Sequence, residues 1–178
     1  MNWPNRLSLI RVACVPLVTA LIIMDGLTWT APAALIVFML ASATDWLDGW
    51  MARKYGLITN FGKFIDPVAD KLLVVSTMTA LCGRGLLPAW AVVIVLFREL
   101  AVDGLRLVAV EQGHVIAAGK LGKIKTTSQM LTLICYLLRA CGALADSFLP
   151  GALLTLALVM TVWSGVDYFV KNKEVLHG

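Results

Sequence analysis

Only two histidines occur in the 178 residues, His114 and His177, and neither stands at metal-ligand spacing from a partner. The usual nitrogen ligands of zinc are therefore missing. The four cysteines, Cys14, Cys82, Cys135 and Cys141, form no C-x-x-C pair and sit in or beside apolar runs. They read as small packing residues, not as a disulfide or thiolate framework. Acidic residues number only eleven, and charged residues of both signs make up 15% of the chain. Linkers, repeats and low-complexity tracts are absent as well. A soluble domain of this length could not cover itself with so little polar surface. What fills the chain instead is apolar, 60% hydrophobic residues with a mean hydropathy of +0.84. That is the composition of a polytopic membrane protein, read here as a single domain over residues 1–178.

Apolar runs near 7–24, 31–53, 63–83, 88–108, 124–143 and 149–169 predict an all-α chain with six transmembrane helices. The breaks fall at Asp25-Gly26 with Pro32, at Gly83-Arg84-Gly85 with Pro88, at Gly113, and at Asp146 with Pro150-Gly151. Asn2 to Leu7 is expected to lie along the interface before the chain turns into the membrane, with Pro4 limiting helix upstream and Asn5 capping the first helix. The first run contains Arg11 and Pro16 and ends without a small-x-small cleavage site, so it reads as a retained span and not a signal peptide. If both ends are cytoplasmic, thirteen of the fifteen basic residues fall on that side, and only Arg84 and Arg139 on the other. Such a bias places both termini at the cytoplasmic face of a cytoplasmic membrane. The net charge of +4 has the same origin and calls for no nucleic-acid partner.

Against this background one stretch stands out. Asp45 to Lys71 holds four of the eleven acidic residues, Asp45, Asp48, Asp66 and Asp70, between two apolar runs. Ionisable groups at a membrane boundary are costly and mark functional sites. At about 100° per residue, Asp45, Asp48, Gly49, Ala52 and Arg53 share one side of a helix, and Gly62, Asp66 and Asp70 share a face of the next. Two helices presenting those faces to each other would gather four carboxylates in one small volume. Like charges so close need a cation between them. An oxygen-only ligand set selects a hard ion, Mg²⁺ or Mn²⁺. Four carboxylates can hold two ions, the arrangement that clamps attacking and leaving oxygens in phosphoryl transfer. Gly49, Ala52 and Gly62 leave the backbone open to a bulky group, and Arg53 can grip a phosphate. Pro67, next to Asp66, marks a first helical turn or kinks a helix already begun, and either choice frees a carbonyl nearby.

The pattern Asp45-x2-Asp48-Gly49-x2-Ala52-Arg53-x8-Gly62-x3-Asp66-x3-Asp70 resembles, at all eight positions, the signature of the CDP-alcohol phosphatidyltransferases. The resemblance implies that a phosphatidyl group passes from CDP-diacylglycerol to an alcohol while CMP leaves. It implies two Mg²⁺ or Mn²⁺ ions on Asp45, Asp48, Asp66 and Asp70, with Asp66 and Asp70 as the catalytic carboxylates and Asp70 as candidate general base. A carboxylate that also touches a metal is a weak base, so orientation is part of its role. Contacts to the CDP-diacylglycerol head are implied for Asp48, Gly49, Ala52, Arg53 and Gly62, with Thr44 as an extra one. A similar N-terminal pattern implies Asn5 and Arg11 at the site's edge, although contact with anionic lipid explains an arginine there equally well. The family also implies a homodimer in contact with membrane lipids.

A second, basic region lies further along the chain. Glu99, Asp103 and Arg106 stand at spacings that favour ion pairing within one helix, leaving one or both of Arg98 and Arg106 for a phosphate. Lys120, Lys123 and Lys125 arrive where the fifth run starts, and they form either a patch for anionic lipid or part of an anion pocket. The pieces Arg98-Glu99-Leu, Gly104-Leu-Arg106 and Gly119-Lys120-x-Gly-Lys123-x-Lys125-Thr126 look like those of phosphatidylglycerophosphate synthases. That likeness implies sn-glycerol 3-phosphate as acceptor, bound by Arg98, Arg106, Lys120, Lys123 and Lys125. Phosphatidylglycerol, as in a cardiolipin synthase, inositol phosphate and serine are the alternative acceptors. A small cation transporter is the remote alternative, disfavoured because all four aspartates sit at one edge and no acidic path continues across the third span.

Overall fold

The computed structural model describes residues 3–24, 27–55, 60–113, 116 and 119–176. Among them the protein is all-α. Helices α1 (Trp3–Ile23), α2 (Thr30–Tyr55), α3 (Asn60–Gly83), α4 (Ala89–Glu111), α5 (Lys120–Ala140) and α6 (Leu149–Lys171) are followed by a closing 3-10 turn, η1 (Lys173–Leu176). The six helices match the six apolar runs in order. Two of them, over Arg6–Ile23 and Leu149–Lys171, are long and apolar enough to cross a membrane, and the apolar part of α2 is the shorter segment Thr30–Thr44.

The surface is apolar where that of a water-soluble protein would be polar. Phe97, Trp163, Val93, Ile36, Leu40 and Val170 are exposed, whereas Arg11, Glu99, Lys125, Gln129, Thr132, Thr161 and Ser164 are buried. Exposed apolar area on this scale belongs against lipid, with the polar groups turned inward to find one another.

By contacts the chain divides into two compact units, Met1–Leu87 with Leu133–Ala145, and Pro88–Thr132 with Asp146–Gly178, so the division falls inside α5. In the first unit α1 packs against both α2 and α3, and α2 also touches α3. Val18, Ile22, Ala34, Phe38, Leu73 and Leu81 are fully enclosed there. In the second unit α4 packs on α6, and η1 returns to α4. Val102, Leu105 and Tyr168 form its core, with Ile116, Phe169 and Val175 around them.

Helix ends obey backbone chemistry. Gly85, at φ +70°, ends α3 by letting the Leu86 N–H donate to the Leu81 carbonyl (3.0 Å) while its own N–H donates to Cys82 (2.8 Å). Gly142, at φ +84°, repeats this after α5, with Ala143 donating to Leu138 and Gly142 to Arg139. These paired bonds satisfy carbonyls that the helix end leaves open, and the left-handed residue they need is cheapest as glycine.

One local expectation changes and another is decided. Residues 3–7 form the first turns of α1, because a proline is tolerated in a helix's first turn, where its missing N–H has no intrahelical partner to lose. Asn5 accordingly lies inside the helix and does not cap it. Pro67 resolves as an interior residue, since α3 begins at Asn60. It therefore has no N–H to give the Lys63 carbonyl four residues back, about two turns before Asp70.

Candidate functional site

The acidic stretch straddles the end of one helix and the start of the next. α2 carries Asp45, Asp48, Gly49, Ala52 and Arg53 in its C-terminal half, directly after the apolar segment that ends at Thr44. α3 carries Gly62, Asp66 and Asp70 in its N-terminal half, before its apolar half begins at Leu72. The connecting residues 56–59 lie outside the described residues, as do the side chains of Asp45, Asp48, Gly49, Ala52 and Arg53. Their helix register is described, and it keeps Asp45, Asp48 and Ala52 on one side of α2.

On α3 the side-chain picture is direct. Gly62 is buried, and Asp66 and Asp70 are half-buried one turn apart. Ser8 of α1, itself 1% exposed, donates its hydroxyl to Asp66 Oδ1 at 2.5 Å. Arg11, one turn further along α1, is buried to the same degree. α1 thus brings a hydroxyl and a guanidinium into the unit that holds α2 and α3. Sequence reasoning named Asn5 and Arg11 for this edge and missed Ser8. The signal was available, because Ser8 lies three residues from each of them. The side chain of Asn5 lies outside the described residues. Thr44 spends its hydroxyl on its own helix, donating to the Ala41 carbonyl at 2.7 Å.

The donor set suits a hard divalent cation. Asp66 accepts the Ser8 hydrogen bond on one oxygen, and a carboxylate has a second oxygen with which to ligate an ion. No histidine or cysteine stands in either half of the motif. Among the described residues no three metal-ligating side chains cluster, and two of the four aspartate side chains are outside that set.

The basic residues of the second unit fall into two kinds. Glu99 Oε1 accepts from Lys125 Nζ (2.5 Å) and from Arg98 Nη1 (3.2 Å), and Arg98 Nη2 donates to Ser164 Oγ at 3.2 Å. Glu99 therefore pairs with its own neighbour and across to α5. Arg106 Nε donates to Tyr168 Oη at 2.9 Å, with its guanidinium carbon 5.5 Å from the ring centre. Lys125 is buried whereas Lys123 is exposed, as two helix positions about 200° apart must be. Lys120 opens α5 at a position that shares a side with Lys123, and its side chain lies outside the described residues. The four whose side chains are described thus differ in their surroundings. Arg98 and Lys125 belong to a buried ion-paired group, Arg106 to a tyrosine clamp, and Lys123 to the surface.

α5 explains how such polarity stays inside. Lys125, Gln129 and Thr132 recur at helical spacing, Gln129 Nε2 donates to Thr161 Oγ1 (3.0 Å), and Thr132 Oγ1 donates to the Leu153 carbonyl (3.0 Å). The opposite side of the helix presents Ile124 and Leu131 outward. Hydroxyl and amide groups so placed join helices where lipid offers no partner.

Comparison with known proteins agrees with these features. The sequence pattern described as CDP-alcohol phosphatidyltransferase matches residues 1–163. A CDP-diacylglycerol–glycerol-3-phosphate 3-phosphatidyltransferase of Bacillus subtilis is 44% identical over 189 aligned positions, covering 98% of this chain and 97% of that protein. A probable phosphatidylglycerophosphate synthase of Mycobacterium tuberculosis is 37% identical, covering 99% of this chain and 84% of its own length. A CMP-forming cardiolipin synthase of rice is 38% identical over 99% of this chain and 59% of its own length.

Proposed function

The chain belongs to the CDP-alcohol phosphatidyltransferase family, and from that membership we propose that it transfers the phosphatidyl group of CDP-diacylglycerol to sn-glycerol 3-phosphate, yielding phosphatidylglycerophosphate and CMP. The observation that carries this reading is the end-to-end similarity to a glycerol-3-phosphate phosphatidyltransferase, with all eight signature positions present on α2 and α3. Similarity to a cardiolipin synthase keeps phosphatidylglycerol as the second acceptor. Incubating purified protein with CDP-diacylglycerol and each alcohol in turn separates them. Product is expected with glycerol 3-phosphate, and product with phosphatidylglycerol alone overturns the assignment.

In this reading Asp45, Asp48, Asp66 and Asp70 would hold two divalent ions, Mg²⁺ or Mn²⁺, which when bound neutralise the pyrophosphate and the charge left on CMP. Ser8 orients Asp66 by donating to Oδ1. Asp70, one turn along, takes the proton of the acceptor hydroxyl as that oxygen attacks phosphorus and the bond to CMP breaks. Gly49, Ala52 and Gly62 leave backbone open for the cytidine nucleotide, and Arg53 contacts its phosphates. The acceptor's phosphate is assigned to Arg98 and Arg106 of α4 with Lys120, Lys123 and Lys125 of α5, Arg98 and Lys125 being held meanwhile by Glu99.

A membrane location suits both substrates. Diacyl chains stay among lipids while the polar head reaches the aspartates, and the positive-inside distribution supports six spans with both termini and the site on the cytoplasmic side. A homodimer completes the proposal. A small exposed residue such as Ala152 on α6 is compatible with close helix packing.

A further inference from the structure

The two arginines assigned to the acceptor share a feature that no motif announces: both are held by α6. Arg98 and Arg106 lie eight residues apart on α4, about 12 Å along the axis at 1.5 Å per residue. Their partners are gathered within four residues. Ser164 Oγ accepts from Arg98 Nη2 (3.2 Å), and its own proton goes to the Thr161 carbonyl (3.1 Å), which turns a lone pair toward the arginine. Next to it, a Cβ on Gly165 would stand 3.1 Å from Arg98 Cγ and 3.9 Å from Nε. The arginine stem thus runs over bare backbone. One turn later, Tyr168 accepts from Arg106 Nε (2.9 Å) and lies beneath its guanidinium. Tyr168 is itself locked in the core with Val102 and Leu105.

From this arrangement we infer that Ser164, Gly165 and Tyr168 are positioning residues, which set the Arg98 and Arg106 guanidinium groups for the acceptor's phosphate. The inference rests on the reading of α4 as the acceptor side. Tyr168 occupies Nε and one face of Arg106, which leaves the two Nη groups as a planar fork of the kind that grips phosphate bidentately. Ser164 and Glu99 each take one N–H of Arg98, one on each Nη, and each Nη retains a second. Holding these long side chains in place before the substrate arrives spares the rotamer freedom that binding would otherwise remove. Ser164 and Tyr168 are buried within a mostly apolar helix, where a polar side chain is costly unless it has a partner.

The test separates positioning from bulk stability. Initial rates at varied glycerol 3-phosphate and varied CDP-diacylglycerol, together with thermal melting in detergent, are measured for Tyr168→Phe, Ser164→Ala, Ser164→Thr, Gly165→Ala and Arg106→Lys. Tyr168→Phe keeps the ring and removes the acceptor oxygen, and it should raise KM for glycerol 3-phosphate about 5- to 10-fold, the scale of one weakened hydrogen bond to a charged group. KM for CDP-diacylglycerol should stay within about twofold by the same scale. Ser164→Ala should act likewise, Ser164→Thr should restore the parent value, and Gly165→Ala should resemble Ser164→Ala. If Arg106→Lys raises the acceptor KM but the α6 variants leave it unchanged, the positioning role is overturned and the acceptor assignment stands. If the α6 variants only lower the melting temperature, or raise both KM values together, the role is equally overturned. If Arg106→Lys itself leaves the acceptor KM untouched, the reading of α4 as acceptor side falls and takes the inference with it.

Discussion

Replacing Ser8 by alanine removes one hydroxyl from α1 and tests whether the first helix takes part in the site. The hydroxyl donates to Asp66 Oδ1 at 2.5 Å, and Ser8 is 1% exposed, so neither water nor a rotamer change readily restores the bond from the serine side. A hydrogen bond to a charged group contributes about 1.5–3 kcal/mol. Asp66 is half-buried and not enclosed, so water can recover part of the loss, and the lower end of that range applies. At about 1.4 kcal/mol per factor of ten, kcat/KM should fall about 10-fold. The loss should be accompanied by a higher divalent-ion concentration for half-maximal activity, because the carboxylate is less well aimed. Ser8→Thr keeps the donor and should keep most of the activity. The assay is CMP release by purified protein in mixed micelles, with Mg²⁺ titrated across each variant. Unchanged kinetics and an unchanged Mg²⁺ midpoint in Ser8→Ala would show that the bond has no bearing on catalysis.

Other parts of the structure make their own demands. Asp66→Asn and Asp70→Asn should each abolish product formation while the protein still inserts in the membrane, seen as normal fractionation with no CMP release. Chelation of divalent ions should silence the parent enzyme, and added Mg²⁺ or Mn²⁺ should revive it. Glu99→Ala removes the carboxylate shared by Arg98 and Lys125, whose side chains are 12% and 8% exposed. Breaking a buried pair on one side costs about 3–5 kcal/mol, read as a lowered melting temperature in detergent. Gly142→Ala forces a left-handed residue to carry a side chain at φ +84°, which should cost about 1–2 kcal/mol of stability with activity unchanged.

Much of the architecture is legible because lipid-facing segments advertise themselves. Six apolar runs separated by glycine and proline translate into six helices, and the acidic stretch interrupts them where an aspartate has no packing reason to be. The local deviations have local causes. Pro4 suggests a break until one sees that a helix's first turn has no use for its N–H. Pro67 is ambiguous because sequence does not reveal that α3 starts seven residues earlier, at Asn60. The basic region is harder. Lys123 and Lys125 look equivalent in a polybasic string, yet helical rotation sends one outward and the other to Glu99. Charge spacing suggests pairing within α4, while the structure takes Lys125 from α5 and Tyr168 from α6. Long-range partners of this kind leave no periodic trace. Ser164 and Tyr168 are hints only as polar residues in a mostly apolar helix, and Ser8 is a hint only through its spacing from Asn5 and Arg11.

The most direct measurement counts ions. Mn²⁺ bound to the purified protein in the presence of CDP-diacylglycerol, followed by electron paramagnetic resonance, should saturate at two per chain and decline when Asp66→Asn and Asp70→Asn are combined. A count that those two substitutions leave unchanged would contradict the proposal that the aspartates of α2 and α3 hold the ions on which phosphatidyl transfer depends.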